Sequence, residues 1–438
     1  MEQPLTSACL SARPSVPARS MNILVCGAEG FIGCALCDAL ASGGHRVRKG
    51  VRHARHDDEV AIDYTADLDP AVWLPRLRDI DVVINAVGIL LERGDQTFER
   101  IHRRAPVALF EAAFNAGVRH IVQVSALGAH DGETAYFTSK RAADTYLLSL
   151  PVAHHVLRPA LVYGPRGASA RFFRSVASLP IHPLPAGGHQ VLRPIHLDEL
   201  AEVVVRLVDG SRTDQPVLDL VGGTQLEYRQ MLATYRASMG LPPARSLGIP
   251  AAAVGLSAAL LDRVPHSMLT RDTWRMLQSG STAPVATTAR VLGRQPAGIE
   301  TFIRPADALP VRLEALAAWR PAVLRGALAV TWIWTALCSA FIYPRAASLA
   351  LLAHVHLHGA VAIAALYLAS ALDLAFGVAT LVRPGRRLWA MQGGLIAAYS
   401  LAIAVAMPEF LWHPFGPLLK NLPILALLLV LFSEEPQP

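Results

Sequence analysis

Tyr136-Phe137-Thr138-Ser139-Lys140 sets a phenol and an ammonium four residues apart, which on a helix places them on one face. With nine tyrosines and three lysines in 438 residues, chance gives about 0.06 such pairs, so the spacing calls for a chemical reason. An ammonium at that distance lowers a phenol's pKa from about 10 towards working pH and makes Tyr136 a proton donor or acceptor. Ser125, at the end of the preceding apolar run, is placed to hydrogen-bond a reacting carbonyl. Ser125, Tyr136 and Lys140 are therefore the candidate catalytic residues.

A second constellation points to a nucleotide. Gly27-Ala28-Glu29-Gly30-Phe31-Ile32-Gly33 follows a short apolar run and opens a helical pattern. In that context Gly27 permits the tight turn and Gly30 the approach of a pyrophosphate. Gly33 lets the helix pack closely, and the helix N-terminus attracts phosphate. NAD usually calls for an acid just after the second strand, but Arg48, Lys49 and Arg52 stand there and acids arrive only at Asp57. Arginine pairs bidentately with a 2′-phosphate, so NADP(H) is favoured over NAD(H), with Arg52 as its contact. Asp63 is a candidate for the adenine edge or a turn cap.

The elements that must carry these groups alternate. Strand patterns at 22–26, 46–51, 81–87, 120–125 and 152–157 are separated by helical patterns through residue 40 and at 98–116 and 135–150. That order predicts an α/β fold with a doubly wound parallel sheet. Residues 166–310 are expected to form a small α/β substrate lobe. Its Arg171, Arg174 and Arg193 either meet an anionic substrate or face solvent.

The chain is 53% hydrophobic and 17% charged with a mean hydropathy of +0.35, which excludes a disordered or fibrous protein. Only nine charged side chains fall in residues 326–438, so the apolar excess has an address. Uncharged stretches at 326–343, 346–372 and 388–408, with a shorter run at 421–432, predict a C-terminal four-helix α transmembrane domain embedded in a lipid bilayer. Asp373 inside a span is expected to be functional or paired. His354, His356 and His358 are read as a polar rim, metal or haem being the other option. The net charge of +6 carries no zinc-ligand pattern, basic helix or aromatic-interleaved basic run, which argues against nucleic acid. Cys34-x-x-Cys37 falls inside the first helix and reads as packing rather than redox or metal chemistry.

Together these motifs resemble the extended or atypical short-chain dehydrogenase/reductases, which implies a Rossmann fold over residues 21–305. The resemblance assigns Gly27, Gly30, Phe31, Ile32 and Gly33 to the glycine-rich turn and Asn85, Ala86 and Gly88 to the motif after strand four. Ser125-Ala126-Leu127-Gly128 is similar to the catalytic serine segment. Arg158-Pro159 with Val162-Tyr163-Gly164-Pro165 is similar to the segment whose backbone lines the nicotinamide, which adds Pro159 and Val162 to the cofactor set. Pro194-Ile195-His196-Leu197-Asp198 resembles a later P-x-H-x-D segment. Glu29 replaces a common threonine, and His102-Arg103-Arg104-Ala105 stands where an N-x-x-G-T-like segment is usual. Within the branch the chain most resembles the group of the complex I NADPH-binding accessory subunit. The tail resembles the DoxX-like domain through Asp373 and the 413–421 segment.

The expected organisation is a disordered leader (1–20), a nucleotide-binding domain (21–165), the substrate lobe (166–310), a linker (311–325) and the membrane domain (326–434). The function these imply is a membrane-anchored NAD(P)H-dependent oxidoreductase acting on a small-molecule substrate, a lipophilic carbonyl or quinone. The alternatives are a non-catalytic NADPH-binding module of a membrane redox complex and a nucleotide-sugar epimerase. The expected location is the inner (plasma) membrane, and arginines at 320, 325, 383, 386 and 387 predict that the nucleotide domain and the C-terminus are in the cytoplasm.

Overall fold

The computed structural model describes residues 20–435 except 212, 214, 263, 265, 266 and 415, so the expected leader lies, but for Ser20, outside the described residues. The chain divides into two compact units, one ending at Ala315 and one beginning at Leu316.

In the first unit, Ile23 and Val25 of β1 (Asn22–Cys26) point to one core and Leu24 and Cys26 to the other. A strand apolar on both faces has to lie inside a sheet covered twice. Around it run β2 (Arg46–Val51), β3 (Glu59–Ala61), β4 (Val82–Asn85), β5 (His120–Val124), β6 (Ala153–Pro159) and a last strand, Val217–Leu220. All seven are parallel, in the order Val217–Leu220, β6, β5, β4, β1, β2, β3. The chain winds outward from β1 to β3, then returns to build β4 to β6 on the other side. The crevice between β1 and β4 is thus the switch point, where open α/β sheets bind ligands.

Helix α1 (Phe31–Ser42) covers one face; α2 (Ala105–Asn115) and α3 (Ala135–Ser149) cover the other. A π-helical turn, Glu99–Arg104, leads into α2 and buries His102. Helix α4 (Ala168–Ser178) belongs to the lobe. Helix α5 (Leu197–Val208), the helix Ala286–Leu292 and the strand Val217–Leu220 were expected there too but complete the nucleotide-binding layer. Leu200, Val203, Val204 and Leu207 of α5 share the core of Ile23 and Val25, and Val217 pairs with Val156.

The lobe proper gathers α4, α6 (Tyr228–Ser238) and a two-stranded parallel pair, Ile181–Pro185 with Arg245–Ile249, around Tyr163, Met231, Tyr235 and Phe302. Its core includes Ala315, and the expected linker 311–325 is taken up by parts of the helices Ala308–Ala317 and Arg320–Leu337, with the boundary between the two units inside it.

In the second unit three helical stretches are long and apolar enough to cross a membrane: Pro305–Ile342, which begins in the first unit, Gly359–Val382 and Arg386–Ala406. The fourth expected span is a helix of only 14 residues, Asn421–Glu434. The second is displaced from 346–372, because the chain breaks after the helix Arg345–Ala353, with His356 at φ +62° and Gly359 at φ +56°. His354, His356 and His358 are exposed at that break and share no helix face, and the described residues hold no cluster of three metal-type ligands. Inside the bundle the Trp332 indole donates to Gln392 Oε1 (3.1 Å) and Gln392 Nε2 donates to Thr380 Oγ1 (2.9 Å). Asp373 is buried, and its Oδ1 has no hydrogen-bond partner among the described residues.

Candidate functional site

The turn after β1 is shaped by contacts that exclude side chains. Gly27 adopts φ +83°, and a Cβ there would lie 3.0 Å from Val87 of the β4 loop. A Cβ on Gly33 would lie 2.0 Å from the Gly27 carbonyl oxygen, so only glycine lets α1 start this close to the turn. Gly30 caps α1 with no side chain of its own, so the first-turn N–H groups need another acceptor, and a phosphate suits them. Phe31 packs against the 164–167 segment: a Cβ on Gly164 or Gly167 would come within 2.9 Å of its ring. Ile32 packs on the core behind the turn. These glycine-bared backbones fit a dinucleotide diphosphate.

At the end of β2, Arg52 is exposed, while Lys49 is committed to Asp58 (2.9 Å). Asp63 accepts from the Thr65 amide (2.9 Å) and hydroxyl (2.7 Å), which places it as the turn cap that was one of its two readings. These bonds hold its carboxyl below the usual range. Asn85 is fully buried and spends its side chain inside the protein. Its Oδ1 accepts from the Tyr64 hydroxyl (2.9 Å), and its Nδ2 donates to Gln123 Oε1 (2.7 Å). Its side chain therefore anchors the β4 loop, in which Ala86 is part-buried and Gly88 exposed. Pro159 accepts from the Leu127 amide (2.9 Å), and Val162 begins a short strand paired with Ile195–His196.

Helix α3 starts at the Thr134 cap, which accepts from the Phe137 amide, and carries Tyr136, Lys140 and Asp144 at successive four-residue steps. Lys140 is buried and donates to the Val124 carbonyl (3.1 Å). A Cβ on Gly88 would lie 3.2 Å from its Nζ, so the tip of the lysine reaches the β4 loop at that residue. Burial pulls the ammonium down to about 8 against the opposing charge of Asp144. Tyr136 is half-buried against Phe98, His102 and Phe137. Its phenol is pushed up to about 12, first by burial and then by Asp144. This is opposite to the expected lowering, because burial disfavours the phenolate and the Asp144 carboxylate adds to that effect.

Ser125 is buried, and its hydroxyl donates to Asp144 Oδ2 at 2.5 Å. Its one proton is committed there rather than to a carbonyl. Asp144 escaped the sequence reading, and His102 figured there only as a departure from the family segment. Asp144 lies one turn beyond Lys140, a spacing visible in the sequence once Tyr136 and Lys140 are aligned. His102 accepts from the Ile89 amide at Nε2 (3.0 Å), so its proton resides on Nδ1, which donates to Ser139 Oγ (3.0 Å). Burial, then the charge of Lys140, holds the imidazole down to about 2. A neutral His102 thereby ties the β4 loop to the helix of Tyr136 and Lys140.

In the lobe, Arg174 is buried on Glu314 (2.9 Å) and the Pro165 carbonyl (2.8 Å). Arg193 donates to the Gly222 and Gly223 carbonyls, both at 2.9 Å. Those two arginines are structural; Arg171 is exposed. Cys37 is buried, its thiol pushed up to about 12 by burial, in keeping with packing.

A model of the NAD dependent epimerase/dehydratase family matches residues 23–217, and one of the DoxX-like family matches residues 329–429. Ceramide reductase of Caulobacter vibrioides is 30% identical over 253 residues, 55% of this chain and 77% of that protein. The 3-diazoavenalumate denitrifying reductase of a Streptomyces species is 29% identical over 261 residues, 52% of this chain and 84% of that one. Among solved structures, a human epimerase family protein with NADPH superposes with a TM-score of 0.51 at 18% identity, covering 66% of this chain and 99% of that chain. At that identity the likeness is one of fold.

Proposed function

The chain belongs to the NAD-dependent epimerase/dehydratase family, with a DoxX-like domain behind it, and from that premise we propose a membrane-anchored NADP(H)-dependent reductase of a lipophilic carbonyl substrate. The observation that carries this reading is the placing of Tyr136 and Lys140 on one face of α3, with Lys140 Nζ against Gly88 at the switch point. A nicotinamide held there by the β4 loop at Gly88 and by Lys140 would supply hydride chemistry to a carbonyl carbon. Tyr136 gives its hydroxyl proton to the carbonyl oxygen, and a phenol pushed up to about 12 stays protonated and suits that direction. Lys140 holds the ribose and offsets the charge that forms on Tyr136. Ser125 stands behind the reacting groups and keeps Asp144 fixed beneath Lys140. Arg52, exposed at the end of β2, is the contact for a 2′-phosphate. A lipid substrate agrees with the ceramide reductase relative and with the apolar helices of the tail. The site faces the cytoplasm from the inner membrane.

A second reading, a module of a redox membrane complex that holds NADPH without turnover, has one observation in its favour. The Ser125 proton is committed to Asp144. Tyr136→Phe separates the two. In a reductase, turnover falls by about 10²–10⁴-fold while nucleotide affinity is kept. Full complementation by the variant would leave only the binding module. Titrating the full-length protein with NADPH and NADH tests the cofactor. Tighter NADPH binding, weakened about tenfold by Arg52→Ala with NADH unaffected, is the expected result. Equal affinities would remove the role given to Arg52.

A further inference from the structure

The substrate lobe carries an apolar surface that the nucleotide chemistry does not use. From Ser246 to Leu261 the sequence holds no charged residue. Its second half forms the helix Ala251–Leu261, which buries Val254 and Ala258 against Trp274. Leu256 and Leu260 share the opposite face, 65% and 60% exposed. Two residues before the helix, the strand Arg245–Ile249 pairs in parallel with Ile181–Pro185, in the register Arg245↔Ile181 and Leu247↔Pro183. Side chains two apart on a strand share a face, so Ile181 (50% exposed) and Leu247 (57%) stand on one side of this pair, with Arg245 beside them. Soluble surfaces rarely gather leucines so densely without a partner.

The surface lies where the chain leaves the unit. Ser178 donates to the Ala315 carbonyl (3.3 Å), and the Arg245 amide donates to the Pro180 carbonyl (3.1 Å). The exposed strand pair is therefore anchored within a few residues of Ala315, after which the sequence runs into the apolar tail. A short tether to a bilayer gives the bilayer a high effective concentration at this corner. Of the flanking charges, Asp262 at the end of the helix is paired with Arg271 (3.3 Å), which leaves basic side chains to face outward. Arg245 and Arg275 are exposed, and both would meet anionic headgroups at the depth where leucines enter the acyl boundary.

We propose that these two exposed patches of the lobe, Leu256 with Leu260 on the helix and Ile181 with Leu247 on the strand pair, rest in the headgroup region of an anionic phospholipid bilayer. The lobe then takes a lipid substrate from the membrane and not from water. The proposal rests on the tail being membrane-embedded and is independent of the chemistry at Tyr136.

The test places the full-length protein in phosphatidylcholine/phosphatidylglycerol nanodiscs doped with a phospholipid bearing a diazirine near the top of its acyl chain. After irradiation, peptides are mapped by mass spectrometry. Lipid adducts are expected on 245–261 and on the three long tail helices. Leu256→Glu/Leu260→Glu, on a solvent face, should lower the 245–261 adduct about tenfold and leave the tail adducts and NADPH affinity unchanged. Tail adducts with 245–261 labelled no more than the exposed 92–97 loop would overturn the proposal. So would protein–protein crosslinks at 245–261, which assign the face to a second copy. No adduct anywhere would overturn the membrane reading itself.

Discussion

At Lys140 two effects oppose each other. Burial against the β4 loop disfavours the ammonium, and the carboxylate of Asp144, one turn away on α3, favours it. Burial prevails, and the group is held at about 8 instead of 10.5. The sign of the consequence follows. Below about pH 8 the ammonium that holds the ribose and compensates Tyr136 is intact; as the pH rises through about 8 it is lost. kcat/KM for carbonyl reduction should therefore be flat to about pH 7 and fall beyond about pH 8. Lys140→Arg, which keeps its charge throughout, should abolish that limb even if its absolute rate is low. Stability moves the other way. A lysine whose folded pKa lies below its unfolded one costs stability while charged, so the cost disappears as the pH climbs from about 8 towards 10.5. A reduction profile with no limb near pH 8 would remove Lys140 from the reacting set. The sequence disclosed the Tyr136–Lys140 pair through its spacing. It could not disclose the direction of the tyrosine's shift, which depends on what is buried beside the phenol.

At the scale of elements, the glycine-rich turn is the most sharply tested. A methyl on Gly33 would sit 2.0 Å from a backbone oxygen, and backbone cannot move aside as a flexible side chain can. Gly33→Ala should push α1 off the turn, weaken NADPH binding at least about tenfold and cost about 1–3 kcal/mol of stability in denaturant titration. Gly255→Ala is the matched control. Nothing lies within 4 Å of its added methyl, and alanine in a helix gains about 0.5–1 kcal/mol over glycine. If both variants bind alike, the close approach at Gly33 has no role in the site. The turn was legible because glycine, strand and helix occur together in the right order. The strand Val217–Leu220 and helix α5 were not. Their return to the sheet is a long-range pairing that local pattern does not encode. The break at 354–358 was also hidden, because an uncharged stretch reads as one span whether or not a residue such as His356 takes a left-handed turn inside it.

For the whole molecule the open question is how often the tail crosses the bilayer. The helix Asn421–Glu434 has 14 residues, about 21 Å of rise against a hydrocarbon core of about 30 Å, so length alone favours three crossings and a C-terminus opposite the nucleotide-binding unit. The contacts inside the tail argue otherwise. Asn421 at the start of that helix donates to Ser400 (2.8 Å), near the end of Arg386–Ala406. At its far end Glu435 pairs with Arg325 (2.5 Å), early in Arg320–Leu337, and the Arg386 guanidinium lies over the Phe432 ring at 4.5 Å. The short helix thus runs antiparallel to Arg386–Ala406 and ends level with the first turns of two long helices. Arg325, Arg386 and Arg387 therefore collect at one end with Glu435, and by the preference of positive charge for the inner side we propose that this end is the cytoplasmic one. Three helices are long enough to cross by themselves, and we propose a fourth crossing, completed by the 417–420 turn and by Lys420 reaching towards the headgroups. A reporter fused after Pro438 should accordingly be active on the same side as one fused before Met21. Glu435→Ala, which removes the Arg325 partner, should increase the fraction of misoriented C-termini without changing NADPH affinity. Reporters on opposite sides would mean that the short helix lies along the membrane surface, and the ion pair would then need another explanation.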